Sequence, residues 1–201
     1  MARGQKLGLL KIVPHDLRKY ASDKHKTVDG RPYGGGVGMI MKVDVVAKAL
    51  KALKKKKKDK IILVTPQGKT FNQKMAKRLA KLDRLIILSG RYEGYDERIR
   101  ELVDEEISIG DFVMTGGEVP SMVIVDTVAR LVPGVVGKAQ SLVDESFSEN
   151  LLEYPQYTRP ENFQGRRVPK VLLSGNHAAI EKWRREQALK KTKKRRPDLL
   201  P

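Results

Sequence analysis

IILVTPQGKTFNQKMAKRLAKLDRLIILS, residues 61–89, decides the fold class. Ile61–Thr65 and Leu85–Ser89 are short apolar runs rich in β-branched residues, the composition of buried strands. Between them Asn72–Leu82 sets Met75, Leu79 and Leu82 at helical spacing, with Asn72 as the N-cap and Pro66-Gln67-Gly68 as the turn leaving the first strand. A strand–helix–strand unit predicts a parallel pair. Downstream, a helix is expected around Asp96–Val103, a short strand near Ile107–Ile109, and a glycine turn at Thr115-Gly116-Gly117. A largely apolar helix follows from Glu118 to about Leu131, with Pro120 in its first turn. The alternation predicts an α/β domain: a parallel sheet with helices on both faces and a ligand site beyond the carboxyl ends of the strands.

On either side of this region the composition changes. Residues 1–60 hold 17 basic and 5 acidic side chains, a net +12; residues 61–150 hold 11 and 14, a net −3; residues 151–201 hold 13 and 5, a net +8. A near-neutral middle between basic ends predicts a small-molecule pocket flanked by surface for a polyanion, since phosphate contacts gain affinity through counterion release. Arg166, Arg167, Arg184, Arg185 and the KKTKKRR tail are assigned to nucleic acid, whereas Lys54–Lys58 reads as a solvated run before a strand. Residues 138–165 are polar and aperiodic and read as a linker. Asn176 then caps a helix through about Lys191 that carries Ile180 and Trp183. The predicted organisation is a domain over 1–137, a linker over 138–165 and a short helical domain over 166–201. That last piece buries too little surface to stand alone and must pack on the main domain or a second subunit.

The 201 residues are 40% hydrophobic, enough to bury a core and to exclude wholesale disorder. The absence of Cys removes disulfides, cysteine nucleophiles and Cys-ligated zinc, and His15, His25 and His177 are the only imidazoles. No apolar run approaches the roughly 18–20 residues of a membrane span, and the start lacks the apolar core of a signal peptide. A soluble cytoplasmic protein is expected. There is no GxxxxGK[ST] motif, and Gly34-Gly35-Gly36-Val37-Gly38 does not match GxGxxG, which excludes P-loop and Rossmann chemistry. Three glycine-bearing loops follow the three predicted strands: Thr65-Pro66-Gln67-Gly68, Gly90-Arg91-Tyr92-Glu93-Gly94, and Ile109-Gly110 with Thr115-Gly116-Gly117. Together they favour a pocket that reads a neutral heteroaromatic ring through main-chain atoms.

DKHKTVDGRPYGGGVGM (23–39), TPQGKTF (65–71), LSGRYEGYDERI (88–99), DEEISIGDFVMTGGEVPSMVIVDTVARLVPGVVG (104–137), DESFSENLLEYPQYTRP (144–160) and VPKVLLSGNHAAIEKWRREQALKKTKKRRPDLL (168–200) resemble the bacterial tRNA (guanine-N1)-methyltransferase family over nearly the whole chain. The resemblance implies a SPOUT-type parallel sheet flanked by helices, a C-terminal trefoil knot and a small C-terminal helical domain. It implies methyl transfer from S-adenosylmethionine to N1 of the guanosine following the anticodon, position 37 of tRNA, by a homodimer, with Mg2+ as an activating ion and no membrane or DNA partner.

N1 of neutral guanine carries a proton that must leave as the methyl arrives, while negative charge develops on O6. A carboxylate base and an Arg facing O6 answer these two demands. By resemblance the Arg is Arg130. The family's base is usually the Asp of an Asp-Ser-Phe motif; this chain reads Asp144-Glu145-Ser146-Phe147, so Glu145 is the aligned residue and Asp144 its rival. The resemblance further implies a cofactor wall of Leu63, Val64, Pro66, Gly90, Tyr92, Gly94, Ile109, Gly110, Met114, Gly116 and Gly117. Glu93 would sit near the target base, with His25, Arg91, Asp29, Tyr33, Ser146 and the loop from Gly34 through Gly36 to Gly38 contacting tRNA or shaping its entrance. Val37 stands where the family has Pro. Relative to the family the chain is expected to lack an N-terminal strand, loop and helix before Ala2-Arg3-Gly4 and to have a short C-terminal domain. Another SPOUT RNA methyltransferase and a noncatalytic RNA-binding protein are the competing readings, and saturable binding of S-adenosylmethionine separates the last from the first two.

Overall fold

The computed structural model describes residues 1–53, 55–137 and 145–200. Two compact units, Met1–Gly137 and Lys138–Pro201, divide the chain. In the first, helix α1 (Ala2–Lys6) precedes a 3-10 turn at Leu17–Tyr20, and β1 (Asp29–Gly30) pairs antiparallel with β2 (Ile40–Met41). Then come α2 (Val43–Ala52), β3 (Lys60–Thr70), α3 (Gln73–Leu79), β4 (Leu85–Ser89), a 3-10 helix at Glu97–Leu102, β5 (Glu105–Ser108) and α4 (Glu118–Ala129).

The expected parallel sheet is present, in the order β4-β3-β5. Side chains of successive strand residues point to opposite faces, so β3 feeds two cores. Leu63 packs with Met41, Val46, Leu88 and Ile99 on the face covered by α2 and the Glu97–Leu102 turn. Ile62 and Val64 pack with Leu79, Ile107 and Ile124 on the face covered by α3 and α4. Burying a side chain of this size contributes about 1.5–3 kcal/mol, so the two clusters hold the helices to the sheet.

Capping residues set the element ends. The Asn72 carboxamide accepts the Met75 N–H at 2.9 Å, and the Asp96 carboxylate accepts the Arg98 N–H at 3.0 Å. The segment expected to be a helix over Asp96–Val103 is wound more tightly, as a 3-10 turn, and the strand expected at Ile107–Ile109 begins two residues earlier. Within the Lys-rich run, Lys55 pairs with Asp104 at 2.6 Å, and Lys54 lies outside the described residues. Asp59, only 3% exposed, accepts the Lys56 N–H at 2.7 Å and Arg84 Nε at 2.9 Å, which ties the run to the start of β4.

Pro66-Gln67-Gly68 is not a turn that leaves the sheet. Val64 and Lys69 both align with Ile107 of β5, and Thr70 aligns with Ser108. One edge of a strand has room for one neighbour, so Lys69–Thr70 run along the other edge of β5 and residues 65–68 cross it between. Gly68 makes the crossing: a Cβ there would lie 2.4 Å from the Ile107 nitrogen. A side chain at this position would collide with strand backbone, which cannot give way.

In the second unit a hairpin of β6 (Asn162–Phe163) and β7 (Arg166–Arg167) turns through Gln164 and Gly165, both at positive φ, as a tight hairpin requires. This is regular structure in part of the region read as an aperiodic linker. Helix α5 (Lys170–Leu173) leads to α6 (His177–Arg195), whose Asn176 cap accepts the Ala179 N–H at 3.1 Å. Among the described residues no helix is long and apolar enough to cross a membrane.

Candidate active site

The three glycine loops converge. Val64, Thr65 and Pro66 within β3, Gly90–Tyr95 after β4, and Ser108 at the end of β5, with Ile109, Gly110, Phe112–Met114, Gly116 and Gly117 after it, line one cleft, with Pro120 of α4. Every residue expected in the cofactor wall is there except Leu63. That side chain is 1% exposed in the opposite core, because the period of two along β3 turns it away from the face that carries Val64.

The cleft is built by close backbone approach. Gly117 donates its N–H to the Gly90 carbonyl at 2.6 Å, and a Cβ on Gly117 would lie 2.7 Å from the Gly90 nitrogen. Tyr92 sits at φ +65, a conformation rare for a bulky side chain, and is 44% exposed at the rim. Tyr95 forms the floor: its phenol donates to the Val64 carbonyl at 2.9 Å, and a Cβ on Gly90 would lie 2.2 Å from its oxygen. Burial pushes the Tyr95 phenol above its ordinary value, so it stays neutral and a donor. Sequence reading passed over Tyr95, although it follows directly on the Gly90–Gly94 loop.

Arg91 and Glu93 are the charged residues among those lining the cleft. Arg91 Nε donates to Glu118 at 2.6 Å, and this hydrogen bond, with the charge behind it, holds the Glu118 carboxyl below its usual range. Both groups are largely exposed, so the pair orients Arg91 more than it stabilises the fold. Glu93 is reached from the Gly34–Gly38 loop: its N–H donates to the Met39 carbonyl at 2.9 Å, and a Cβ on Gly38 would lie 2.4 Å from its Cγ. Asp29 pairs with Met41 in the short β1–β2 ladder. His25, the fully exposed Tyr33, and Gly36 lie on the loops before β2 and are not among the residues lining the cleft.

Arg130 caps the carboxyl end of α4, donating its N–H to the Asp126 carbonyl at 3.1 Å. Glu145 and Ser146 belong to the second unit, where Glu145 opens a tight loop along α6; Asp144 lies outside the described residues. The Ser148 hydroxyl donates to the Glu145 carbonyl at 2.6 Å, and Ser146 Oγ accepts the Glu153 N–H at 3.0 Å.

A cleft of main-chain amides and apolar walls at the carboxyl ends of parallel strands suits an uncharged ring system held by backbone hydrogen bonds. At Gly90 and Gly117 the glycines let protein atoms approach where a Cβ would collide with them, which draws the loops together around the cleft.

Comparison with known proteins agrees in extent. The family model described as tRNA (Guanine-1)-methyltransferase TrmD matches residues 1–201. A tRNA (guanine-N(1)-)-methyltransferase of Dictyoglomus turgidum is 54% identical over 200 residues, covering 100% of this chain and 81% of the relative. Relatives of the same description from Geobacter sp. (strain M21) and Clostridium tetani are 53% and 52% identical, over 100% and 99% of this chain and 81% and 83% of their own lengths. With the match running from the first residue to the last, the chain belongs to the TrmD family of tRNA (guanine-N1)-methyltransferases.

Proposed function

We propose that this protein methylates N1 of guanosine 37 in tRNA with S-adenosylmethionine as the methyl donor. The observation that carries the reading is the convergence of the three glycine loops on one cleft, largely apolar and rich in main-chain groups, with Gly117 seated against Gly90. S-adenosylmethionine, when bound, supplies an electrophilic methyl on its sulfonium. Val64, Pro66, Gly90, Tyr92, Gly94, Ile109, Gly110, Met114, Gly116 and Gly117 would hold it, with their backbone groups reading the adenine and their apolar atoms excluding water.

The work left to side chains is proton and charge management. Transfer would form the N1–C bond and break the methyl–sulfur bond, whose electron pair goes to sulfur to leave a neutral thioether, while the N1 proton passes to the carboxylate of Glu145, with Asp144 the alternative base. The Arg130 guanidinium balances the charge that develops on guanine O6, where a fixed cation is worth most. Glu93 faces the target base, while Arg91, His25, Tyr33, Ser146 and the Gly36 to Gly38 loop guide the RNA. Mg2+ enters this reading as an activating ion by family resemblance alone, and no side chain is assigned to it.

The reading includes a homodimer. In its support, α4 leaves Val119, Met122 and Val123 exposed, apolar side chains of the kind a second copy would cover. It also includes the trefoil knot, supported by the passage of residues 65–68 across β5, and a cytoplasmic location alongside the tRNA substrate. Methylation of purified tRNA followed by nucleoside mapping tests the activity: 1-methylguanosine at position 37 is expected, and methyl on another base or on ribose overturns it. Light scattering tests the dimer, and full activity as a monomer at high dilution overturns that part.

A further inference from the structure

We infer that Thr192, far along the C-terminal helix from its cap, is a positioning residue for the linker carboxylate Glu145. Thr192 is fully buried although its side chain is polar. Its hydroxyl donates to the Ala188 carbonyl at 2.7 Å, one turn back on α6, and accepts the Leu152 N–H at 2.8 Å from the linker. One oxygen therefore joins two segments forty residues apart, using both its donor and its acceptor capacity.

The linker is mounted at further points along the same helix. Lys191 Nζ donates to the Glu153 carbonyl at 2.9 Å, and the Arg184 guanidinium lies 4.8 Å from the centre of the Tyr154 ring. From this anchored stretch the chain folds back towards Glu145. Phe147 donates its N–H to the Leu151 carbonyl at 2.8 Å, the Glu153 N–H reaches Ser146 Oγ, and the Ser148 hydroxyl reaches the Glu145 carbonyl. Phe147 holds φ +71, a left-handed conformation that a bulky side chain keeps only where surrounding contacts over-determine it, and Asn150, a residue that tolerates this region, holds φ +59. The guanidinium of Arg196, 5.8 Å from the centre of the Phe147 ring, supplies one such contact.

The loop that carries the carboxylate is thus sprung from a fixed base on α6, and the buried hydroxyl is the bolt. Misplacing a reacting group by about 1 Å costs on the order of a hundredfold in rate. Loosening Leu152 should therefore lower turnover while leaving S-adenosylmethionine, whose cleft lies in the other unit, bound as before.

This inference rests on Glu145 being the base. The test compares Thr192→Val, Thr192→Ser and Glu145→Gln in the full chain by single-turnover methylation, S-adenosylmethionine titration and amide hydrogen exchange over residues 145–153. Lys191→Met, which removes the tie to Glu153 together with one cation of the basic tail, gives a second reading by hydrogen exchange, a readout independent of RNA binding, if Thr192→Val folds poorly. The expected result is faster exchange over 145–153 and a fall in kcat of roughly tenfold for Thr192→Val, with unchanged S-adenosylmethionine affinity and recovery of both readouts in Thr192→Ser. Unchanged exchange in both Thr192→Val and Lys191→Met overturns the mounting. Faster exchange with undiminished kcat overturns the positioning role if Glu145→Gln is crippled; if Glu145→Gln is itself fully active, the base assignment has failed instead, and the positioning role falls with it.

Discussion

Gly117 and Gly90 stand 2.6 Å apart, N–H to carbonyl, and join the loop after β5 to the loop after β4 at the centre of the cleft. A methyl group on Gly117 would meet the Gly90 nitrogen at 2.7 Å and Ser89 Cα at 3.0 Å, both backbone atoms. Gly117→Ala should therefore spread the two loops and abolish saturable S-adenosylmethionine binding, measured by titration calorimetry. Binding at the parent affinity would show that the cofactor sits elsewhere.

Glu145→Gln preserves shape and hydrogen bonding but removes basicity. Single-turnover methylation should slow by roughly a hundredfold or more, the usual scale for loss of a general base, with S-adenosylmethionine affinity unchanged. Glu145→Asp should stay active and Asp144→Asn should be mild. A crippled Asp144→Asn beside an active Glu145→Gln would move the base to Asp144.

If the basic ends hold RNA, tRNA affinity should fall linearly with salt on logarithmic axes, while S-adenosylmethionine affinity barely responds. Replacing Arg184, Arg185, Lys193 and Lys194 with Ala should flatten the slope in filter-binding titrations. An unaltered slope would put the RNA surface elsewhere on the molecule.

The Asp59 carboxyl is held below its ordinary value of 3.8 by the Lys56 N–H and the Arg84 guanidinium. A depressed folded-state value means the stabilisation is complete above the ordinary carboxylate range and is lost as pH falls through the folded value. The melting temperature should drop on acidification below about pH 4, the unperturbed carboxylate range, and Asp59→Asn should lower it at neutral pH and weaken its dependence on acid. A variant with the parent's acid profile would remove Asp59 from the pH response.

Much of the α/β layout was legible in local pattern. The strands at Ile61 and Leu85, the capped helix after Asn72, the apolar helix from Glu118 and the Asn176 cap all rest on contacts within a few residues, where propensity and capping act. The glycine loops were legible as a group because each follows a strand, and a parallel sheet brings its carboxyl ends together. The burial of the Leu63 side chain was not legible, because resemblance names positions whereas the pleat decides which face a side chain takes.

By itself the sequence determined the order of strands and helices, the glycine-lined strand ends, the basic termini and, through its motifs, the family. Only the tertiary structure decided that residues 65–68 cross β5, that Tyr95 props Val64 from beneath the cleft, and that Thr192 holds Leu152. The physical reason is range. Helix caps and strand periods are set by neighbours along the chain, while these three contacts join residues 31 to 43 positions apart, as the pairs Val64–Tyr95, Leu152–Thr192 and Val64–Ile107 do. Pairings of that span are selected by packing of the whole fold, because no local preference of Gly68, Tyr95 or Thr192 specifies its partner.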